Sequence, residues 1–130
     1  LKYSKRFYDR QFLTRSNRNK DFVIQFDQYL TNYLNSDQLI TKGIPTTKEC
    51  GEELNISGHY LSDLLKIETG KTIKEHIHLK LINKAKYKLL NSNISIKSLS
   101  YNLGFDYPQY FSRLFKNKTG MSPSTYRNLN

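Results

Sequence analysis

Within "DYPQYFSRLFKNKTG", once Tyr110, Phe111, Leu114 and Phe115 are assigned inward, the residues left outward are Pro108, Gln109, Ser112, Arg113 and Lys116. At 3.6 residues per turn these five share one helical face. Their chemistry is hydrogen bonding and positive charge. A guanidinium presents a planar fork of donors, a primary amide offers a donor beside an acceptor, and an ammonium is a point charge. Such a face suits a partner with planar acceptor edges and negative charge. Fifty residues upstream the chain nearly repeats itself: "YFSRLFKNKTG", Tyr110 to Gly120, is preceded by "YLSDLLKIETG", Tyr60 to Gly70. The same assignment there places Tyr60, Leu61, Leu64 and Leu65 inward and leaves His59, Ser62, Asp63 and Lys66 outward.

Other chemistry has little to stand on. His76 and His78 are two apart on a helical pattern, so they diverge and cannot share a metal. Glu52 and Glu53 are adjacent rather than facing, and no glycine-rich phosphate loop is visible. Cys50 is the single cysteine, so no internal disulfide can form, and its place in a helical pattern makes it a small buried side chain. The reading is of a protein that is not an enzyme and needs no cofactor or metal.

The formal net charge is +10 over 130 residues, unevenly spread. Residues 1–20 hold seven Lys/Arg against Asp9, residues 21–70 hold three against eight acids, and residues 71–130 hold eleven against Glu75 and Asp106. The two repeats are electrically unlike. No run of about 18 apolar residues could cross a bilayer, and no signal-peptide pattern is present. The expectation is a soluble, cytoplasmic protein. It opens at Leu1 rather than Met, so it is read as part of something longer.

Helical periodicity dominates the elements that must carry the two faces. Tyr3, Phe7, Tyr8 and Phe12 have helix-like spacing, after which "RSNRNK" reads as a basic linker, making residues 1–20 a linker or the tail of a missing N-terminal domain. Phe22, Val23, Phe26, Tyr29, Leu30, Tyr33 and Leu34 form the stripe of an amphipathic helix, ended by a loop at "NSDQLITKGIP". Thr46 with Glu49 is a capping box for a short helix to Leu54; Asn55 and Ile56 turn the chain; Ser57 caps a second helix ended by Gly70. Thr72 with Glu75 opens the longest helix, reaching about Asn91 with Ile73, Ile77, Leu81, Ala85 and Leu89 inward. Ser95 caps a short helix, Gly104 and Phe105 turn, Asp106 caps the next helix, and Gly120 ends it. Ser122 and Pro123 start a brief closing helix.

Each repeat is thus a short helix, a tight turn and a second helix. Gly51 and Ser100, three residues before Leu54 and Leu103, are small where the second helix must cross the first. The expected fold is all-α: a first helix-turn-helix subdomain over 21–70, a linker helix over 71–92 and a second subdomain over 93–130. An α-hairpin array used as a helical protein-interaction module is the alternative, although such arrays repeat with a shorter, regular period.

"NISGHYLSDLLKIETGKTIKEHIHLKLINKAKYKLL" followed by "SIKSLSYNLGFDYPQYFSRLFKNKTGMSPSTYR" resembles the DNA-binding domain of AraC/XylS-type transcriptional regulators over roughly residues 21–127. The GF turn, the YFSRLFK helix and the GMSP ending are its most specific parts. Gly51 and Ser100 depart from the alanine common at both positions, which should loosen packing. The resemblance implies homeodomain-like helix-turn-helix subdomains binding promoter or operator DNA, a missing sensing or dimerisation domain, and RNA polymerase as a further partner in the bacterial nucleoid. It also implies base contacts from His59, Ser62, Asp63, Pro108, Gln109, Ser112 and Arg113. Arg113 matches guanine O6 and N7, and Gln109 matches adenine N6 and N7, although Arg113 could instead hold a phosphate or an internal ion pair. Lys66 and Lys116 come later on their helices and suit phosphates; Thr46, Ser57, Ser95 and Asp106 cap helices, although exposed helix N-termini also bind phosphate. A linker helix of about twenty residues is roughly 30 Å long, close to the roughly 34 Å between successive major grooves on one face of DNA.

Overall fold

Side-chain caps start most of the helices. The computed structural model describes the backbone of residues 2–129 and the side chains of residues 17–129. Among the described residues the order is α1 (Lys2–Leu34), α2 (Gln38–Lys42), α3 (Thr47–Glu53), α4 (Gly58–Thr69), α5 (Ile73–Asn91), α6 (Ile96–Asn102), α7 (Pro108–Thr119) and α8 (Pro123–Arg127), with no strand. Thr46 and Thr72 make complete capping boxes with Glu49 and Glu75. Ser57, Ser95 and Ser122 each accept from the backbone N–H three residues on. Gly70 and Gly120 end α4 and α7 in the left-handed conformation, at φ 80° and 82°.

Three expectations about element boundaries need correction. "RSNRNK" does not interrupt the chain, because α1 is continuous from Lys2 to Leu34. Asn and Ser cost a helix only a few tenths of a kcal/mol each, and no Gly or Pro stands in the segment to break it. The side chains of Tyr3, Phe7, Tyr8 and Phe12 lie outside the described residues. The loop expected at "NSDQLITKGIP" contains α2, one short turn of helix pinned by Leu39, which is 1% exposed. Asp106 does not cap α7. Tyr107 is the N-cap residue, with no side-chain cap bond, and Pro108 occupies the first turn. A residue before proline is driven to extended backbone, and Tyr107 sits at φ −133°, ψ 129°, so the boundary falls there.

One buried cluster runs through both repeats, from Phe26 and Leu30 of α1 through Leu61 and Leu65 of α4 and Leu81 and Ala85 of α5 to Phe111 and Phe115 of α7. The helix α1 packs on α2, α3, α4 and α5, while α5 touches α4 on one side and α7 and α8 on the other. Polar contacts reinforce the long helix. Lys80 Nζ lies 2.8 Å from Asp27 and 3.2 Å from the Thr31 hydroxyl, Lys84 Nζ donates to the Leu34 carbonyl at the end of α1, and Arg127 Nε donates to the Leu89 carbonyl at 3.1 Å.

The α3/α4 crossing is tighter than expected. A Cβ on Gly51 would stand 2.5 Å from Gly58 N, 2.6 Å from Ile56 O and 2.7 Å from Ser57 C. Glycine here brings backbones closer than alanine allows, so packing is tightened rather than loosened. In the second repeat Ser100 is fully buried and donates its hydroxyl to the Lys97 carbonyl at 2.7 Å. Among the described residues no helix is long and apolar enough to cross a membrane.

Candidate nucleic-acid interface

From Ser57 to Gly70 and from Tyr107 to Gly120, α4 and α7 are one design used twice. Thr69 and Thr119 donate to the Leu65 and Phe115 carbonyls at 2.7 and 2.8 Å and accept from the Lys71 and Met121 N–H groups, both at 3.2 Å. Leu61, Leu64, Leu65, Phe111 and Phe115 are buried, with Leu114 half-buried. That anchors the inner faces and leaves His59, Asp63, Lys66, Gln109, Arg113 and Lys116 exposed on the outer ones. Ser62, Ser112 and Pro108 are half-buried. Pro108 begins α7 and has no hydrogen-bond donor, so it can offer a partner only apolar contact.

Tyr60 and Tyr110 depart from the inward assignment. They are 48% and 53% exposed, in the first turns of α4 and α7, and Tyr110 meets Tyr107 edge-on with ring centroids 5.4 Å apart. The inner stripe is filled by residues 61, 64 and 65 and their counterparts, which leaves the tyrosines on its flank. Lys118, exposed near the end of α7, was also passed over.

The charges on the two faces are disposed differently. On α4, His59 Nε2 lies 3.3 Å from Asp63, an ion pair only when the imidazole is protonated, and Lys66 lies 3.9 Å from Glu75 of α5. Asp63 therefore partners His59, not Lys66. Among the described residues Arg113, Lys116 and Lys118 of α7 are in no ion pair. Glu75 is held below the usual carboxylate range, first by the Thr72 backbone N–H, with Lys66 and Lys118 adding to it.

The three hydroxyls at helix starts also sort themselves. Thr46 accepts from Glu49 N at 3.1 Å and gives its own hydrogen to the Glu49 carboxylate at 2.9 Å, so no donor is left and a carboxylate stands beside it. Ser57 and Ser95 accept from Tyr60 N and Ser98 N, each at 3.0 Å, and keep the O–H for an outside acceptor.

Elsewhere Cys50, His76 and His78 are absorbed into packing. Cys50 is buried and its thiol is pushed up to about 11, by burial first and the Glu49 charge second. His76 Nε2 lies 2.8 Å from the Thr69 hydroxyl and its ring meets Phe26 edge-on; burial holds both His76 and His78 below the ordinary imidazole value. Among the described residues no group of three or more His, Cys, Asp or Glu could hold a metal ion.

Residues 50–129 match a family described as "Helix-turn-helix domain". Over 81 residues the chain is 37% identical to YfiF, an uncharacterized HTH-type transcriptional regulator of Bacillus subtilis, covering 62% of this chain and 26% of that protein. It is 34% identical over 79 residues to the HTH-type transcriptional activator RhaR of Escherichia coli, covering 61% of this chain and 28% of that one. The matched part therefore spans about a quarter of the length of these relatives. Among solved structures, the C-terminal domain of AraT, a response regulator from Geobacillus stearothermophilus, aligns with a TM-score of 0.74 and 28% identity, over 84% of this chain and 85% of that one. With its duplicated helix pair, its cationic face on α7 and a family match over most of its length, the chain belongs to the AraC-type helix-turn-helix family, as the DNA-binding domain of a bacterial transcriptional regulator.

Proposed function

We propose that α4 and α7 enter two successive major grooves of one duplex and together read a bipartite, unsymmetrical site. One observation carries this: two helices alike in their glycine C-caps and buried faces, each with an exposed polar outer face, are joined by α5, whose 19 residues make a strut of roughly 28 Å. That length is close to the roughly 34 Å between successive grooves on one side of DNA. Arg113 and Gln109 are the principal readers, pairing with guanine and adenine edges; His59, Ser62, Asp63 and Ser112 supply the remaining polar contacts, and Pro108 an apolar one. Lys116, Ser57 and Ser95 hold phosphates, as does Lys66 once it leaves Glu75. Thr46, whose hydroxyl is spent on Glu49, acts as a cap.

The relatives are about four times longer than the matched segment, which supports a further sensing or dimerisation domain in the whole protein, with RNA polymerase as a partner at the promoter. Work on the nucleoid in the bacterial cytoplasm follows from that reading. The test is selection from a random duplex library, then hydroxyl-radical footprinting of this fragment on the winner. Two protected grooves one helical turn apart for each bound chain are expected. A single protected groove per chain would overturn the two-groove reading, and no sequence enrichment would favour a protein-interaction module.

A further inference from the structure

The two helix-turn-helix units also meet through an element other than α5. There α2 packs against α6, and the chain leaving α2 lies on the turn between α6 and α7. Gly104 makes that turn at φ 87°, its N–H donating to the Tyr101 carbonyl at 3.0 Å. A Cβ on Gly104 would stand 2.9 Å from Leu39 Cδ1, 3.0 Å from Ile44 N and 3.1 Å from Ile44 Cγ1. Any side chain here would press on Leu39 and Ile44 and would also be strained by the positive φ. On the facing side a Cβ on Gly43 would lie 3.6 Å from the Gly104 carbonyl oxygen, and the Gly43 carbonyl is held by the Tyr33 hydroxyl of α1 at 2.8 Å. Leu39, buried to 1% exposure, belongs to the common core.

A single helix shared by two units leaves rotation about its own axis as the softest motion between them. A second contact off that axis opposes the rotation. We infer that α2 and the Gly43–Ile44 segment form a positioning brace: seated on the Gly104 turn, they fix α7 relative to α4 and so set which spacing between two half-sites the protein accepts. This rests on the two-groove reading. Neither Tyr33 nor Ile44 is in the DNA-contacting set, and both act through the position of α7.

Tyr33→Phe removes only the hydroxyl that holds Gly43, and Ile44→Ala removes a half-buried side chain from the Gly104 seat. Each is to be compared with the unaltered chain in two measurements. In the first, spin labels replace the exposed Ile67 of α4 and Asn117 of α7 as cysteines, Cys50 being buried, and their distance distribution is recorded without DNA. In the second, affinities are compared for the selected duplex and for duplexes with one base pair added or removed between half-sites. The unaltered chain should give one narrow distance; Ile44→Ala should broaden it and lower the preference for the selected spacing by about fivefold, with Tyr33→Phe intermediate. Unchanged widths and unchanged spacing preference in both variants would overturn the brace. If the unaltered chain footprints on one groove, the two-groove reading falls separately, and the label distances alone decide whether α2 fixes α7 against α4.

Discussion

Arg113 and Asp63 occupy equivalent positions in the two repeats, with opposite charge and unlike surroundings. Arg113 is exposed and unpaired among the described residues, free to present its fork to a base edge. Arg113→Ala should cost about 1–3 kcal/mol on the selected duplex and relax selection at one position, whereas Lys116→Ala should weaken all duplexes evenly. Equal losses for both variants on selected and random DNA would show that Arg113 reads no base. Asp63 has His59 at 3.3 Å, but an exposed pair of this kind is worth little and does not cancel the carboxylate's repulsion of phosphate. We expect Asp63 to be tolerated against DNA by accepting from cytosine N4 and so to act as a filter against other bases. Asp63→Asn should then tighten binding to random duplex and narrow the gap to the selected one. No change in either affinity would mean that His59 and solvent fully occupy it.

Among the elements, the α3/α4 crossing and the start of α5 each make a testable contribution to stability. Gly51→Ala gains about 1 kcal/mol of helix propensity but forces a methyl onto three backbone atoms, all within 2.7 Å. Overpacking of that kind costs about 1–3 kcal/mol, and backbone cannot yield as a flexible side chain does, so a net loss of about 2 kcal/mol should appear in urea unfolding. Equal or greater stability of the variant would show that the turn shifts freely. Around α5, burial lowers His76 and His78 from the ordinary 6.5, so the unfolded chain takes up their protons first as pH falls. Their contribution to stability is complete above 6.5 and is lost as pH drops through the lowered folded values. The thermal midpoint of the free protein should therefore fall between about pH 7.5 and about pH 5.5, and less steeply in His76→Gln. A flat profile would contradict the burial of these rings.

For the whole molecule, charge is segregated along with the repeats. Eleven of the Lys/Arg lie in residues 71–130 against two acids, and eight acids lie in 21–70 against three bases. We therefore expect the linker helix and the second unit to supply most of the attraction to a polyanion, and the first unit to contribute less non-specific affinity. If about six or more phosphates are neutralised, affinity should fall by about a thousandfold between roughly 50 and 200 mM salt. Binding that barely changes over that range would place the cationic face away from DNA.

Caps, stripes and the repeat were legible in the sequence because each is decided within about four residues: Thr46 with Glu49, Thr72 with Glu75, Gly70 and Gly120, and the spacing of Leu61, Leu64 and Leu65. The two outward faces follow from the same local periodicity, as does the length of α5. The continuity of α1 was misread because a polar run resembles a linker unless Gly or Pro breaks it. Only tertiary structure decided that Tyr60 and Tyr110 stand outside, that Gly51 brings two backbones together, that Asp63 meets His59, and that the chain leaving α2 lies on the Gly104 turn. Each of these depends on how closely separate helices approach. No local period encodes that distance, which is set by the shape of the whole core.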